Sequence, residues 1–198
     1  MTHTFQKTAI AALIGLNLWS CAPKETEPRK SEPAPVAAAK LPVIPEVRQE
    51  LAGLLTTIET VPPRQAFAKH GASGFAALLD IYRDENELPT VRSRAVSAMP
   101  WTDVALAREE LKRIAVDPKA LATCRRSAVY ALGSMDGVAA LPALLPTLDD
   151  ADPEIRETSV RVLGKLKDEK ANAALRERLK VETSPAVLET LGRVLGAK

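Results

Sequence analysis

The sequence predicts an all-α protein in which helical hairpins stack side by side into a solenoid. The main observation is a pattern that returns at a nearly constant interval. An apolar position recurs at Val91, Cys124, Ile155 and Val187, in steps of 33, 31 and 32 residues. Small or apolar residues follow it four and five positions later, and a long apolar side chain follows eight positions later. A fixed interval of this length is the sequence signature of a repeat architecture.

One copy of the pattern shows a helix with both of its ends. It begins at Asp152, whose carboxylate can accept hydrogen bonds from the free N–H groups of a first helical turn. Pro153 follows at the first helical position, where a missing N–H removes no hydrogen bond. Gly164, or the pair Lys167–Asp168 after it, ends the run. The residues between them that share one helix face are Ile155, Ser159, Val160 and Leu163.

A second helix is predicted after each copy, and the four candidates are Phe75–Arg83, Val104–Val116, Ala140–Leu148 and Asn172–Val181. One hairpin of about 32 residues cannot bury both of its apolar faces, so the hairpins must stack on one another. Pro45–Ile58 repeats the Pro-Glu-aliphatic-Arg motif of residues 153–156 and is predicted as the opening helix. A short extra helix is predicted between Pro62 and His70.

Two other helical arrangements are weaker explanations of this pattern. A coiled coil needs long uninterrupted heptads, and Gly and Pro interrupt this chain about every fifteen residues. An ordinary four-helix bundle would leave the fixed interval as a coincidence.

The repeat resembles the HEAT repeat, in the short form similar to the HEAT-like repeats of bilin lyases. The likeness covers about residues 74–198, and the segments that carry it are 117–118, 131–145, 152–156 and 162–164. The resemblance implies that the arginine after the apolar position bonds a turn aspartate, such as Asp152, of a neighbouring repeat. The arginines at that position are Arg92, Arg125 and Arg156. Leu188 replaces arginine in the last copy, which predicts a capping unit.

The N-terminus has a different composition. The apolar stretch from Thr8 to Ser20 is shorter than the roughly 20 residues that a membrane-spanning helix needs, and it suits the apolar region of a signal peptide. The segment Leu18-Trp-Ser-Cys21 resembles a bacterial lipobox. That resemblance implies a lipoprotein signal peptide over residues 1–20 and fatty acyl chains such as palmitate on Cys21. The alternative is a buried N-terminal helix with an incidental cysteine.

Residues 21–44 are predicted to be a disordered tether between the lipidated cysteine and a HEAT-like domain over residues 45–198. The tract is rich in Pro, Lys, Glu and Ala and holds too little apolar surface to fold. Ala22, which follows the cysteine, favours the outer over the inner membrane if the family's sorting habit applies. The expected location is therefore the periplasmic side of a bacterial membrane.

Charge and composition exclude several function classes. The formal net charge is +2, and Lys and Arg alternate with Asp and Glu, which does not indicate a nucleic-acid interface. No cofactor or metal motif is present, and Asp149, Asp150 and Asp152 are better explained by turn and capping roles than by a cation.

His70 follows no nucleophile motif and is predicted at the surface or at a helix cap. Cys124 is predicted as a buried apolar residue, with a reactive thiol as the alternative.

These observations predict no catalytic residues and a non-enzymatic, monomeric scaffold or adaptor in the cell envelope, which binds an unknown protein. The alternative is an accessory factor of an enzyme, or a cofactor-binding protein, of the lyase-like kind. Solenoids commonly bind partners on the concave side, which the second helices are expected to line. Helical phase then selects as partner-facing residues Arg108, Lys112, Ala143, Thr147, Arg176 and Lys180.

Overall fold

The structure is a computed structural model that describes residues 41–57 and 62–196. In these two segments the regular elements are helices, which confirms the predicted all-α class. The predicted signal peptide, Cys21 and most of the tether lie outside the described residues. The ten α-helices are α1 (Pro45–Thr56), α2 (Gln65–Ala68), α3 (Gly71–Arg83), α4 (Pro89–Ala98), α5 (Val104–Val116), α6 (Ala122–Asp136), α7 (Leu141–Leu144), α8 (Pro153–Leu166), α9 (Glu169–Val181) and α10 (Pro185–Leu195).

The helices form two rows, which confirms the predicted stack of hairpins. The first row contains α1, α4, α6, α8 and α10, and the second row contains α3, α5, α7 and α9. Within the first row, α4 packs on α6, α6 on α8 and α8 on α10. The later first-row helices also pack on the second-row helix that precedes them, as α4 does on α3 and α6 on α5, whereas α1 packs on α3, which follows it. The short helix α2, which the sequence predicts, packs on α3.

Helix starts follow the predicted chemistry. Asp103, Asp152 and Asp168 each accept hydrogen bonds from first-turn N–H groups of α5, α8 and α9. Prolines open α1, α4, α8 and α10, where they leave no hydrogen bond unmade. Helix α8 ends at Lys167, whose φ of 52° lies in the left-handed region that terminates helices.

Helix α7 is shorter than predicted. The sequence suggests a helix over Ala140–Leu148, but only Leu141–Leu144 is α-helical, between two 3-10 segments. Pro142 and Pro146 explain the difference because each removes a backbone donor from what would be one helix. The second row is therefore least regular at this position.

A continuous apolar core runs between the rows. The long side chains at the eighth position of three copies, Met99, Leu132 and Leu163, are fully buried. Cys124 is also fully buried, which confirms its prediction as an apolar core residue, and burial raises the pKa of its thiol. A buried thiol with a raised pKa is a poor nucleophile.

Glycines let neighbouring first-row helices approach closely. A Cβ on Gly133 of α6 would collide with Cγ1 of Val162 on α8. A Cβ on Gly164 of α8 would likewise collide with Cγ1 of Val194 on α10. The same glycine-on-valine contact therefore recurs one repeat later, because the repeat places a glycine after the eighth-position leucine.

The spacing of the rows decides which of them lies inside. First-row helices pack directly on one another, whereas second-row helices touch their row neighbours far less. A stack whose two rows differ in spacing bends toward the more closely spaced row, so we infer that the first-row helices line the concave side. The sequence analysis predicts the second helices on that side instead, and this stays a prediction.

We expect Gly133→Ala to lower the free energy of unfolding by about 1–2 kcal/mol. Overpacking against Val162 costs about 1–3 kcal/mol, and the gain in helix propensity offsets up to about 1 kcal/mol of it. Gly53 is the matched control, because a Cβ there meets no atom within 4 Å. Gly53→Ala should therefore stabilise the protein. Urea unfolding of both variants is the measurement, and equal effects would contradict close packing at Gly133.

One helical run, Ala122–Asp149, has the length and hydropathy of a membrane span, with a mean hydropathy of 1.5 over 18 residues. In the structure this run comprises α6, α7 and the adjoining 3-10 segments. It turns at Gly137, whose φ is 54°, and α6 packs on α4, α5 and α8. About a third of that 18-residue window, 33 %, is buried in the stack.

Candidate functional site

Two of the six residues predicted to face a partner lie in the interior. Thr147 is 1 % exposed, and its hydroxyl lies 2.6 Å from the hydroxyl of Ser159. Ala143 is half-buried and packs against the core. The prediction for Thr147 is corrected, because the 3-10 segment after α7 rotates this side chain toward α8.

The other four residues lie on the second row, which is the convex side. Arg108 donates two hydrogen bonds of 2.6 Å to Asp136 and so joins α5 to α6. Lys112 and Lys180 each pair with a glutamate one turn earlier on the same helix, at 2.9 and 2.7 Å. Arg176 is exposed. These cationic side chains lie on helix faces that point to solvent, and they do not form one cluster.

Arginines at the predicted position do link successive repeats at two places. Arg125 donates to Asp150 at 3.1 Å and lies 4.0 Å from Asp152. Arg156 donates two hydrogen bonds, of 2.9 and 2.7 Å, to Glu182. Arg92 differs, because its guanidinium donates to the carbonyl of Tyr82 at 2.8 Å and lies over the Tyr82 ring.

A further arginine, which the sequence analysis did not single out, makes the same kind of link at the start of the stack. Arg48 of α1 donates to Asp80 at 2.6 Å and to Asp84 at 2.7 Å. The sequence contains a signal for this link, because Arg48 ends the Pro-Glu-Val-Arg motif that matches residues 153–156. These pairs hold neighbouring repeats in register and are structural.

Glu182 is the most strongly held of these acids. Its side chain is 0 % exposed, and besides Arg156 it accepts from Arg178 at 2.8 Å and from the N–H groups of Thr183 and Ser184 at 2.9 and 2.8 Å. The Arg156 guanidinium first, and then these other donors, hold the pKa of Glu182 far below its usual range. The carboxylate thereby joins α8, α9 and α10.

A concave site lies on the first row, and we call it the inner groove. It has a volume of about 310 Å³ and its lining residues are Arg64, Ser97, Pro100, Trp101, Ser127, Tyr130, Ala131, Ser134 and Met135. The α6 residues among them recur every three or four positions, so they form one exposed stripe of that helix. The opposite wall comes from the end of α4 and the 3-10 turn after it.

Aromatic contacts fix the groove's far wall. The Trp101 ring meets the buried Phe67 ring edge-on, with centroids 5.3 Å apart. The Arg64 guanidinium lies 5.7 Å from the centre of the Trp101 ring, within the range of a cation–π contact. Tyr130, on the α6 wall, is 39 % exposed.

The charges around the inner groove are unequal. Among residues 41–57 and 62–196, its lining includes one cation, Arg64, and no carboxylate. Beyond the rim, Arg161 is held by Glu157 and Tyr130, and these hydrogen bonds raise the pKa of Arg161. The groove therefore offers aromatic surface, serine hydroxyls and one positive charge, which is a binding surface rather than a set of reacting groups.

The described residues contain no cluster of three His, Cys, Asp or Glu side chains that could hold a metal ion. His70 lies away from the groove at the start of α3, with its Nε2 atom 3.3 Å from Glu50. His70 is the N-cap residue of α3, which confirms its predicted place at a helix cap, although its side chain makes no capping hydrogen bond.

The fold and the groove define a class of protein, an α-solenoid with an open concave surface. Residues 121–196, from α6 to α10, match the family model for HEAT repeats. No curated protein matches the chain significantly.

A solved structure of the complex of CpcE and CpcF of phycocyanin lyase, from Nostoc sp. PCC7120, is similar to this one. It shares 19 % sequence identity, its TM-score is 0.54, and the match covers 75 % of this chain and 96 % of that chain. At this identity the similarity establishes the fold, and it confirms the predicted resemblance to HEAT-like repeats of bilin lyases.

Proposed function

We propose that this chain is a non-enzymatic scaffold that binds a partner protein on its first-row helices. The observation that carries the proposal is the inner groove, which is lined by the half-buried Trp101 and the exposed Tyr130. Aromatic residues are enriched where proteins bind one another, because they bury a large area at a small cost in side-chain entropy. The matched HEAT repeats supply the class of surface that solenoids use for binding.

The experiment that tests the scaffold is photocrosslinking in intact cells. A benzophenone amino acid replaces Tyr130 in the inner groove, and in a second strain it replaces Arg176 on the convex side. We expect one protein to be crosslinked from position 130 and not from position 176. Crosslinks from position 176 alone would place the binding surface on the second row and defeat the proposal.

We further propose that the scaffold is held at the periplasmic face of a bacterial membrane, with the outer membrane favoured. The support is the sequence of residues 1–44, in which an apolar stretch ends at Cys21 and a proline-rich tract follows. Two or more acyl chains on one cysteine anchor a protein stably, whereas one chain does not. The tract would then separate the binding surface from the lipid.

We expect Cys21→Ser to move the protein from the membrane fraction to the soluble fraction, because the substitution removes the atom that carries the lipid. The measurement is cell fractionation followed by immunoblotting. Cys124→Ser is the matched control and should stay in the membrane fraction. Retention of the Cys21→Ser protein would rule out the lipid as the sole anchor.

A second candidate is an accessory subunit for an enzyme or cofactor. The observation that favours it is the similar structure, which is a complex of two subunits of a phycocyanin lyase. Mixing the purified chain with a bilin separates the two candidates. A stoichiometric change in the bilin absorption spectrum would favour the accessory role, and an unchanged spectrum would favour the scaffold.

A further inference from the structure

We propose that the inner groove binds an extended, proline-containing segment of the partner protein, and that this segment carries a carboxylate opposite Arg64. The inference rests on the proposed scaffold function and specifies the chemistry of its partner.

The walls of the groove suit pyrrolidine rings. Trp101 and Tyr130 stand on opposite walls, and Trp101 is held in place by its edge contact with Phe67. Aromatic-lined grooves bind proline-rich segments because the polyproline conformation forms before binding and loses little entropy. A half-buried tryptophan held by Phe67 and an exposed tyrosine on the other wall provide aromatic surfaces of that kind.

The floor of the groove distinguishes an extended ligand from a helical one. Ser127 and Ser134 donate no hydrogen bond to any of the described residues, and neither does the indole N–H of Trp101. A helical ligand satisfies its own backbone carbonyls, so it has no use for these donors. A polyproline segment has no internal hydrogen bonds and needs donors for its carbonyls, which these three groups can supply.

The positive charge of Arg64 favours an acidic side chain on the ligand. Arg64 pairs with no carboxylate within residues 41–57 and 62–196, and its guanidinium is stacked on Trp101 at the groove wall. Since the lining contains no acidic residue, a carboxylate on the ligand would meet attraction without repulsion from the groove itself. A basic side chain on the ligand would be repelled by Arg64.

The test is fluorescence anisotropy of labelled nonapeptides titrated with the full-length chain. The probes are a proline nonapeptide with a central Glu, one with a central Lys, and an alanine-rich helical peptide with one Glu. We expect the Glu probe to bind saturably, with a Kd below about 1 mM. The Kd of the Lys probe should be about fivefold higher, which is the size of effect that an exposed charge pair can produce. The helical probe should not bind.

Variants locate the binding site. Arg64→Gln should remove the difference between the Glu and Lys probes, whereas the control Arg193→Gln, an exposed cation on α10, should leave it unchanged. Ser134→Met fills the groove from an exposed position and should weaken the Glu probe at least about tenfold. Circular dichroism checks that each variant is folded.

Two outcomes would overturn the inference: tighter binding of the helical probe, or binding of the Glu probe that Ser134→Met leaves unchanged. No binding of any probe, together with a partner crosslinked from position 130, would refute the ligand chemistry and leave the scaffold standing. Loss of that crosslink as well would refute the scaffold.

Discussion

Glu182→Ala is expected to lower the free energy of unfolding by about 3–5 kcal/mol, because it leaves a buried charge network without its anion. Arg156 and Arg178 converge on this carboxylate, and their side chains are only 10 % and 15 % exposed. Without Glu182, two guanidinium groups between α8, α9 and α10 lose a major acceptor. Urea unfolding followed by circular dichroism measures the loss.

Glu177→Ala is the matched control for this change. Glu177 lies on the same helix as Arg178, but it is 71 % exposed and pairs only with Lys180. An exposed pair of this kind contributes between zero and about 1 kcal/mol. Similar losses in the two variants would show that Glu182 does not join the repeats as described.

The same carboxylate predicts a pH dependence. Because the pKa of Glu182 is lowered in the folded state, its ionised form stabilises the fold at every pH above the unfolded value of about 4.3. That contribution is lost progressively as the pH falls below this value. The stability difference between the native protein and Glu182→Gln should therefore be largest near pH 7 and shrink below about pH 4. A constant difference from pH 7 to pH 3 would contradict the assignment.

Leu163→Ala is expected to cost about 2–5 kcal/mol, as large-to-small changes in a well-packed core do. Leu163 is fully buried, and its helix α8 packs on both α6 and α10. A cavity there would weaken contacts on two sides of one repeat. The melting temperature and urea midpoint of the variant are the measurements.

Val181→Ala is the control for Leu163→Ala. Val181 lies in the last turn of α9 and is 65 % exposed, so its truncation should change stability by no more than about 0.5 kcal/mol. An unchanged melting temperature in Leu163→Ala would mean that the eighth position of the repeat is not the core position.

Much of the fold could be predicted from the sequence because the same local sequence signals recur in several repeats. Asp152 and Pro153 mark a helix start by backbone chemistry alone, and the eighth-position leucines mark the buried face. Helix α7 could not be predicted as closely, since Pro142 and Pro146 act on a helix whose length depends on its packing.

Helical phase does not decide which row lies on the concave side, because it shows which face of a helix is buried and not which row is more closely spaced. That spacing depends on pairs such as Gly133 and Val162, which lie on different helices. The groove was missed for the same reason. Trp101 and Tyr130 are two of the few aromatic residues in the chain, and Tyr130 occupies the solvent-facing stripe of α6. Sequence spacing alone does not bring them together.

The assignment of the first row to the concave side is tested most directly by distances between spin labels, measured by pulsed electron resonance. One pair of labels replaces Arg126 and Glu189, which lie two repeats apart on the first row. The other pair replaces Lys112 and Lys180, two repeats apart on the second row. The stack described here predicts a shorter mean distance for the first pair. A shorter distance for the second pair would place the second row inside and remove the inner groove from the concave surface.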